Sequence, residues 1–195
     1  MKTVYLLLTR SATLFSRLIR LFTSAPYTHV SISVASDPTA FPRDPAGSFY
    51  SFGRKNPYLP FPAGFIRENR EGGYFQRFPH TRCVLLAVDV SDGAYASICS
   101  RLSKMEICAD IYHYNLLGAL LGSIGVVYEK RRRYFCSQFV GDLLTRSGAV
   151  RLPKPVSLMQ PIDYAFLCGV RVLYTGSVGE LMDGEPIRTG LLQGA

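Results

Sequence analysis

The chain has 195 residues, of which 48% are hydrophobic and 18% are charged. This balance excludes a disordered chain and favours one folded domain with a sizeable core. The formal net charge of +8 fits either an ordinary solvated basic surface or an acidic partner such as anionic lipid or a cell-wall polymer. Because the chain has no RNA-recognition signature and no zinc-finger spacing, we expect no nucleic-acid partner.

The cysteines indicate a reducing, cytoplasmic compartment. There are five of them, an odd number, and none forms a CxxC pair, which argues against a disulfide scaffold and against structural zinc. We expect no metal and no cofactor. The N-terminal run MKTVYLLLT lacks the small-residue cleavage site of a signal peptide. The apolar stretch 114–128 is shorter than the ~20 residues of a spanning helix, which leaves peripheral membrane contact open.

The first half of the chain is predicted to contain a histidine on a strand. Residues 3–9 read as a buried strand, and a helix capped by Ser11 is expected to end at Pro26. The segment THVSISV alternates with period two, so His29 and two serines share the face opposite three aliphatic residues. Small side chains on that face would let a cysteine-bearing helix approach the imidazole. The alternative is a half-exposed strand histidine without a function.

The rest of the chain mixes strands and helices without a regular βαβ rhythm, which favours the α+β class. We predict strands at 48–54, 82–90 and 170–174, and a helix capped by Asp92 that runs to about residue 108. The glycines of 112–128 indicate either close packing or a bent hairpin of helices. We also predict a short helix at 161–167, a surface loop at 56–73 and a proline-rich strap at 152–161. No linker divides the chain. We therefore expect a single domain over residues 1–174 and a weakly ordered tail over 175–195.

The segment 134–148, YFCSQFVGDLLTRSG, reads as a turn that opens directly into an amphipathic helix. Gly148 follows where a left-handed cap would end it. Cys136 then lies in the first turn, where free backbone N–H groups and the basic run 130–133 favour the thiolate. The alternative is that Cys136 is a small buried hydrophobic residue, as most buried cysteines are.

A cysteine at a helix start and a histidine on a strand are the minimum for thiol catalysis. The imidazole of His29 would accept the thiol proton, and the thiolate of Cys136 would attack an acyl carbon. The backbone N–H groups of Ser137 and Gln138 are candidates for an oxyanion hole, helped by the Gln138 side chain. Tyr112 is a candidate to line the cleft. The two other histidines, His80 and His113, compete with His29 for the role of base.

The order of the motifs resembles the circularly permuted branch of the NlpC-type papain-like hydrolases, which includes YiiX-like proteins and relatives of lecithin–retinol acyltransferase. The pieces that match are THVSISV, FYSFGR, YHYNLLG, RYFCSQFVGDLL and PKPVSLMQPIDY. In these pieces the histidine precedes the cysteine, the reverse of the order in papain. Together they span most of residues 27–174.

The resemblance implies a small antiparallel sheet or barrel packed against the cysteine helix. It also implies cleavage or transfer at an amide or ester carbonyl, with Cys136 as nucleophile, His29 as general base and no cofactor. Ser51 falls near the position from which a third residue orients the imidazole. The expected partner is a peptide, glycopeptide or lipid-like acyl substrate. Because a serine orients an imidazole less firmly than a carboxylate does, a binding module that recognises an acidic glycan, peptide or lipid remains the alternative.

Overall fold

A computed structural model describes residues 1–10, 26–35, 48–56, 62–68 and 78–183. Within these ranges the chain is α+β, as predicted, with the strands joined in one sheet. The helix predicted after Ser11 and the tail beyond Asp183 lie outside the described residues.

Eight strands form the sheet within the described ranges. They are β1 (Lys2–Thr9), β2 (His29–Ser33), β3 (Phe49–Arg54), β4 (Ala63–Glu68), β5 (Arg82–Val90), β6 (His113–Tyr114), β7 (Arg133–Tyr134) and β8 (Val170–Ser177). Their order is β7-β6-β4-β3-β2-β1-β5-β8, and neighbours are antiparallel except β6 and β7. In this order β3 separates β2 from β4, so a side chain on β2 has to reach past one strand to meet a side chain on β4.

The helices occupy the later part of the chain. The α-helices are α1 (Asp92–Ile107), α2 (Leu116–Ser123), α3 (Cys136–Arg146) and α4 (Val178–Met182), and three 3-10 helices cover Ala109–Ile111, Val156–Leu158 and Pro161–Phe166. The predicted cap of α1 was one residue late, because the Ser91 side chain accepts the hydrogen bond from the Ala94 N–H. None of the helices in the described ranges is both apolar enough and long enough to cross a bilayer.

Two hydrophobic clusters cover the two faces of the sheet, and β1 shows the division. Val4, Leu6 and Leu8 belong to one cluster, whereas Tyr5 and Leu7 belong to the other. Successive strand residues point to opposite faces, so a strand buried on both sides contributes to both clusters. The first cluster includes residues of α1 and α3, and the second includes residues of α4.

Helix α3 packs on the aliphatic face of β2, not on the serine face that the sequence analysis expected. Val30 and Ile32 share a cluster with Phe139 and Val140 of α3. The two strand serines are instead paired with Leu7 and Tyr5 of β1, which belong to the other cluster. The physical reason is that an amphipathic helix gains its stability by burying its apolar face, and serines offer little apolar area to bury.

Three segments differ from their predictions in extent. The loop predicted over 56–73 contains β4, which pairs with β3 along its whole length. The last strand runs three residues beyond its predicted end and is followed by α4, so the region predicted to be weakly ordered contains regular structure as far as Met182. The glycine-rich stretch 112–128, for which either close packing or a bent hairpin of helices was expected, contains one short helix, α2.

Candidate active site

Cys136 lies in the first turn of α3, at a helix end without a side-chain cap. Cys136 is the first residue of the helix, and Phe135 before it provides no side-chain cap. The opposite end is closed by a Schellman motif, in which Gly148 (φ +73°) donates to the Thr145 carbonyl and Ala149 to the Leu144 carbonyl. The sequence predicted both ends correctly. The N–H groups of the first turn thus lack a capping side chain in a position where partial positive charge accumulates.

His29 lies at the start of β2 and contacts two ionisable side chains from other segments. Its ring makes side-chain hydrogen bonds with Cys136 and with Glu68. The Nε2 atom lies 2.8 Å from Oε1 of Glu68. Since Nε2 is engaged by the carboxylate, Nδ1 is the ring nitrogen that remains for the thiol. The structure therefore brings together the cysteine and the histidine that the sequence analysis selected.

The group beside the imidazole is Glu68, not Ser51. The Ser51 hydroxyl is fully buried and donates to the backbone carbonyl of Val30 at 2.7 Å. Glu68 is the last residue of β4, and its side chain is only 10% exposed. Its second carboxylate oxygen, Oε2, is buried and has no hydrogen-bond partner among the described residues. The hypothesis that Ser51 orients the ring thus does not fit the geometry, because its hydroxyl is committed to the backbone.

The electrostatics of the cluster favour the protonated imidazole. Burial by itself would lower the pKa of His29, whose side chain is 17% exposed. The negative charge of Glu68 and the hydrogen bonds with Cys136 and Glu68 outweigh that effect, so the pKa of His29 lies well above its ordinary value of 6.5. The protonated ring therefore lies between the Glu68 carboxylate and the sulfur atom of Cys136.

A small cleft of about 50 Å³ opens beside the sulfur. Its lining includes Cys136 and Ser137, and on the other side the chain segment from Ser157 to Pro161. Tyr114 contributes to the wall, whereas the predicted cleft residue Tyr112 is not among the lining residues and packs edge-on against Phe52. Burial, together with the charge of Cys136, raises the pKa of Tyr114 well above its ordinary value. The cleft is therefore bordered by a neutral phenol.

The proline-rich strap is fastened to the start of α3. The Ser137 hydroxyl donates to the carbonyl of Met159 at 2.6 Å, and the Tyr164 hydroxyl donates to the carbonyl of Ser137 at 2.6 Å. On the far wall, Gly122 of α2 approaches the strap so closely that a Cβ atom would lie 2.5 Å from the carbonyl oxygen of Ser157. The three segments that border the cleft are thus held against one another by short polar contacts and close packing.

The side chain of Gln138 does not face the cleft. It is buried, and its Oε1 accepts a hydrogen bond from Nδ2 of Asn115 at 3.2 Å. Asn115 in turn caps α2 by accepting from the N–H of Gly118. Gln138 therefore ties α3 to the start of α2, and of its predicted contributions to an oxyanion hole the backbone N–H is the one compatible with this geometry.

The competing histidines are placed elsewhere. His113 is an exposed residue of β6 that pairs with Arg133 of β7, and His80 lies in the turn before β5. Neither lines the cleft. Over the described ranges, no group of three or more His, Cys, Asp or Glu side chains is arranged to hold a metal ion.

Comparison with models of known protein families gives no match for this chain, and comparison with curated protein sequences gives none either.

Glu68 is the residue of this site that the sequence reasoning missed. Its strand, AGFIRE, lies between a proline on one side and a charged stretch on the other, and that composition favours a loop. The signal that could have revealed it is the pair of large β-forming residues Phe65 and Ile66, preceded by a strand of similar length that needs an antiparallel partner.

Proposed function

We propose that this protein is a cysteine hydrolase or acyltransferase that acts on an amide or ester carbonyl. The observation that carries the proposal is the contact of His29 with both Cys136 and Glu68. A nucleophile, a base and a carboxylate that orients the base are the three parts from which thiol and serine hydrolases are built on unrelated folds.

The reaction would begin with transfer of the Cys136 proton to Nδ1 of His29. The thiolate then attacks the carbonyl carbon, forming a C–S bond as the carbonyl π electrons move to oxygen. The resulting oxyanion lies next to the first turn of α3, where backbone N–H groups can stabilise it. Collapse of the tetrahedral intermediate breaks the bond to the leaving group, which takes the proton from His29 and departs. An acyl group remains on the sulfur.

In the second half, His29 removes a proton from water or from another acceptor nucleophile. Attack on the thioester forms a second tetrahedral intermediate, whose collapse breaks the C–S bond and returns the cysteine. Glu68 keeps the imidazole in one orientation and stabilises its protonated form throughout. Water as acceptor makes the protein a hydrolase, and a bound alcohol or amine makes it an acyltransferase.

The permuted papain-like fold is part of the same proposal. A helix that begins at the cysteine, packed on an antiparallel sheet whose strand begins at the histidine, agrees with the resemblance seen in the motifs. The alternative of an inactive binding module was motivated by a serine as the third residue and by the net charge of +8. A carboxylate beside the ring removes the first of these two arguments, and we therefore favour the enzyme.

The test is the rate at which iodoacetamide alkylates each cysteine of the folded protein, followed by peptide mass spectrometry. Cys108 and Cys168 are exposed thiols in the same chain and serve as internal references. We expect Cys136 to react faster than both at neutral pH although it is 6% exposed. His29→Ala should lower the alkylation rate of Cys136 to that of the exposed reference thiols or below it. Equal or slower reaction of Cys136 would overturn the proposal.

A second measurement detects the covalent step. Incubation with an activated ester such as p-nitrophenyl acetate should add one acetyl group to Cys136 and release nitrophenolate in a burst. Cys136→Ala should abolish both. Release of nitrophenolate without acetylation of Cys136, or unchanged release by the alanine variant, would contradict the assignment of the nucleophile.

A further inference from the structure

Helix α2 and the segment after it expose an unusual concentration of aliphatic side chains. Ten large hydrophobic residues are exposed in the described ranges, and half of them fall within eleven positions. These five residues, which we call the apolar ridge, are Leu117, Leu120, Ile124, Val126 and Val127. Scattered exposed hydrophobic residues are normal, but a contiguous group of this kind marks a surface that binds something.

The ridge has a defined shape. Leu117, Leu120 and Ile124 recur at helical spacing, so they form one stripe along α2 and its C-terminal end. The helix then closes with Gly125 (φ +80°) donating to the Gly122 carbonyl and Val126 donating to the Leu121 carbonyl, which is a second Schellman motif. This motif fixes the residues after the helix against its last turn. The five aliphatic side chains thus belong to one ordered element.

A basic run follows the ridge directly. Lys130, Arg131 and Arg132 are exposed and Arg133 is half-buried, while Glu129 is the one acidic residue between the ridge and this run. A surface that offers aliphatic side chains together with adjacent lysine and arginine matches one chemistry well. The aliphatic groups enter the boundary between headgroups and acyl chains, and the cations remain among anionic headgroups.

We propose that the apolar ridge and the basic run dock the protein on the surface of an anionic lipid bilayer. Charge complementarity selects a bilayer over a second copy of this chain, because two copies meeting on this face would bring their basic runs close together. The other side of α2, through Ala119, Gly122 and Ser123, lines the cleft beside Cys136. Docking through the ridge therefore places the cleft about one helix diameter, ~10 Å, from the membrane surface.

The test is flotation of the full chain with vesicles of phosphatidylcholine alone or of phosphatidylcholine mixed with phosphatidylserine. We expect binding to the anionic vesicles, weakened by added salt. The double variant Ile124→Glu/Val127→Glu should bind at least roughly tenfold more weakly. In the wild type both aliphatic side chains leave water when the protein docks, and a glutamate does not gain this free energy. Lys130→Gln/Arg131→Gln should weaken binding by about 25-fold, since each cation near such a surface contributes about a fivefold factor.

Matched controls separate this surface from the rest of the molecule. Ile107 is 83% exposed at the end of α1, and Lys104 and Arg151 are exposed basic residues outside the run. Ile107→Glu and Lys104→Gln/Arg151→Gln should bind as the wild type does. Equal urea midpoints for all variants would show that each one folds.

Three outcomes would overturn the docking proposal. They are absence of wild-type binding to anionic vesicles, equal loss in the control variants, and a solution dimer that the Ile124→Glu/Val127→Glu variant dissociates without any vesicle binding. The proposal does not depend on turnover. Cys136→Ala should float with the vesicles like the wild type, so failure of the proposed enzymatic function and failure of membrane docking are distinguished.

Discussion

Nε2 of His29 lies 2.8 Å from Oε1 of Glu68, although the two residues are 39 positions apart and their strands are separated in the sheet by β3. A carboxylate in this position fixes the tautomer of the ring and stabilises its charged form. Because both side chains are mostly buried, their pairing holds a positive and a negative charge in fixed positions beside the sulfur atom.

We expect Glu68→Gln to reduce the rate of Cys136 acetylation by roughly 10²- to 10⁴-fold, because the amide no longer stabilises the imidazolium. The measurement is the burst of nitrophenolate from p-nitrophenyl acetate. Ser51→Ala is the matched control on the neighbouring strand. It should lower the free energy of unfolding by about 1 kcal/mol through loss of the bond to Val30 and leave the burst rate nearly unchanged. A large rate loss in Ser51→Ala with a normal rate in Glu68→Gln would reverse the two roles.

The stability of the protein should depend on pH through His29. Its pKa in the folded protein lies well above the value of about 6.5 that it has in the unfolded chain. The stabilisation is therefore fully present below about pH 6.5 and is lost as the pH rises through the raised value. As the pH rises from about 6.5 through the raised pKa, the free energy of unfolding of the wild type in urea should fall relative to that of His29→Gln. If the difference between the two proteins is the same at both ends of the range, the ring is not stabilised in its charged form.

Gly148 ends the helix that carries Cys136 in the left-handed region, with φ +73°. We expect Gly148→Ala to lower the free energy of unfolding by about 1–2 kcal/mol, because a Cβ atom is strained there. Gly93, inside α1, has open space around it and no such backbone constraint. Gly93→Ala should therefore leave stability unchanged or raise it by up to about 1 kcal/mol. Equal effects of the two substitutions in urea unfolding would argue against the cap.

The Tyr164 hydroxyl supports the first turn of α3 through the Ser137 carbonyl. Tyr164→Phe should cost about 1–3 kcal/mol of stability, because a short bond in a buried place is lost. It should also slow alkylation of Cys136, since the adjacent turn is less firmly held. Tyr174→Phe is the control on the other face of the sheet, where the hydroxyl contacts Ser177 and Glu180. It should lower stability without changing the reactivity of Cys136, and a similar loss of reactivity would point to a global effect.

What could be predicted from the sequence is what short-range patterns determine. The helix at Cys136–Arg146 follows from its apolar spacing and the glycine that ends it, and β1, β2 and β5 follow from alternating or continuous apolar runs. The meeting of His29 with Cys136 was expected because a cysteine at a helix start and a histidine on a strand fit one chemistry and one resemblance.

The rest depends on contacts between distant segments, which periodicity does not encode. Glu68 was not predicted as a site residue because a proline and nearby charges outweighed the weak strand pattern of its segment. Its position beside the ring follows from the pairing of β3 with β4. Ser51 lies on the predicted strand, but its hydroxyl donates to the backbone of the next strand. Sequence spacing does not reveal the hydrogen-bond partner of a side chain. The packing of α3 on Val30 and Ile32 was likewise decided by which face of β2 offered more apolar area.

The three side chains of the site come from the start of β2, the end of β4 and the start of α3, so no local fragment can contain them. Forming the site requires closure of long chain loops, which is the slow part of folding for a sheet with such distant pairings. During refolding, rapid alkylation of the thiol should thus emerge together with the final cooperative phase, after helix formation is complete. The alkylation rate of Cys136 would then report when the whole tertiary structure has formed.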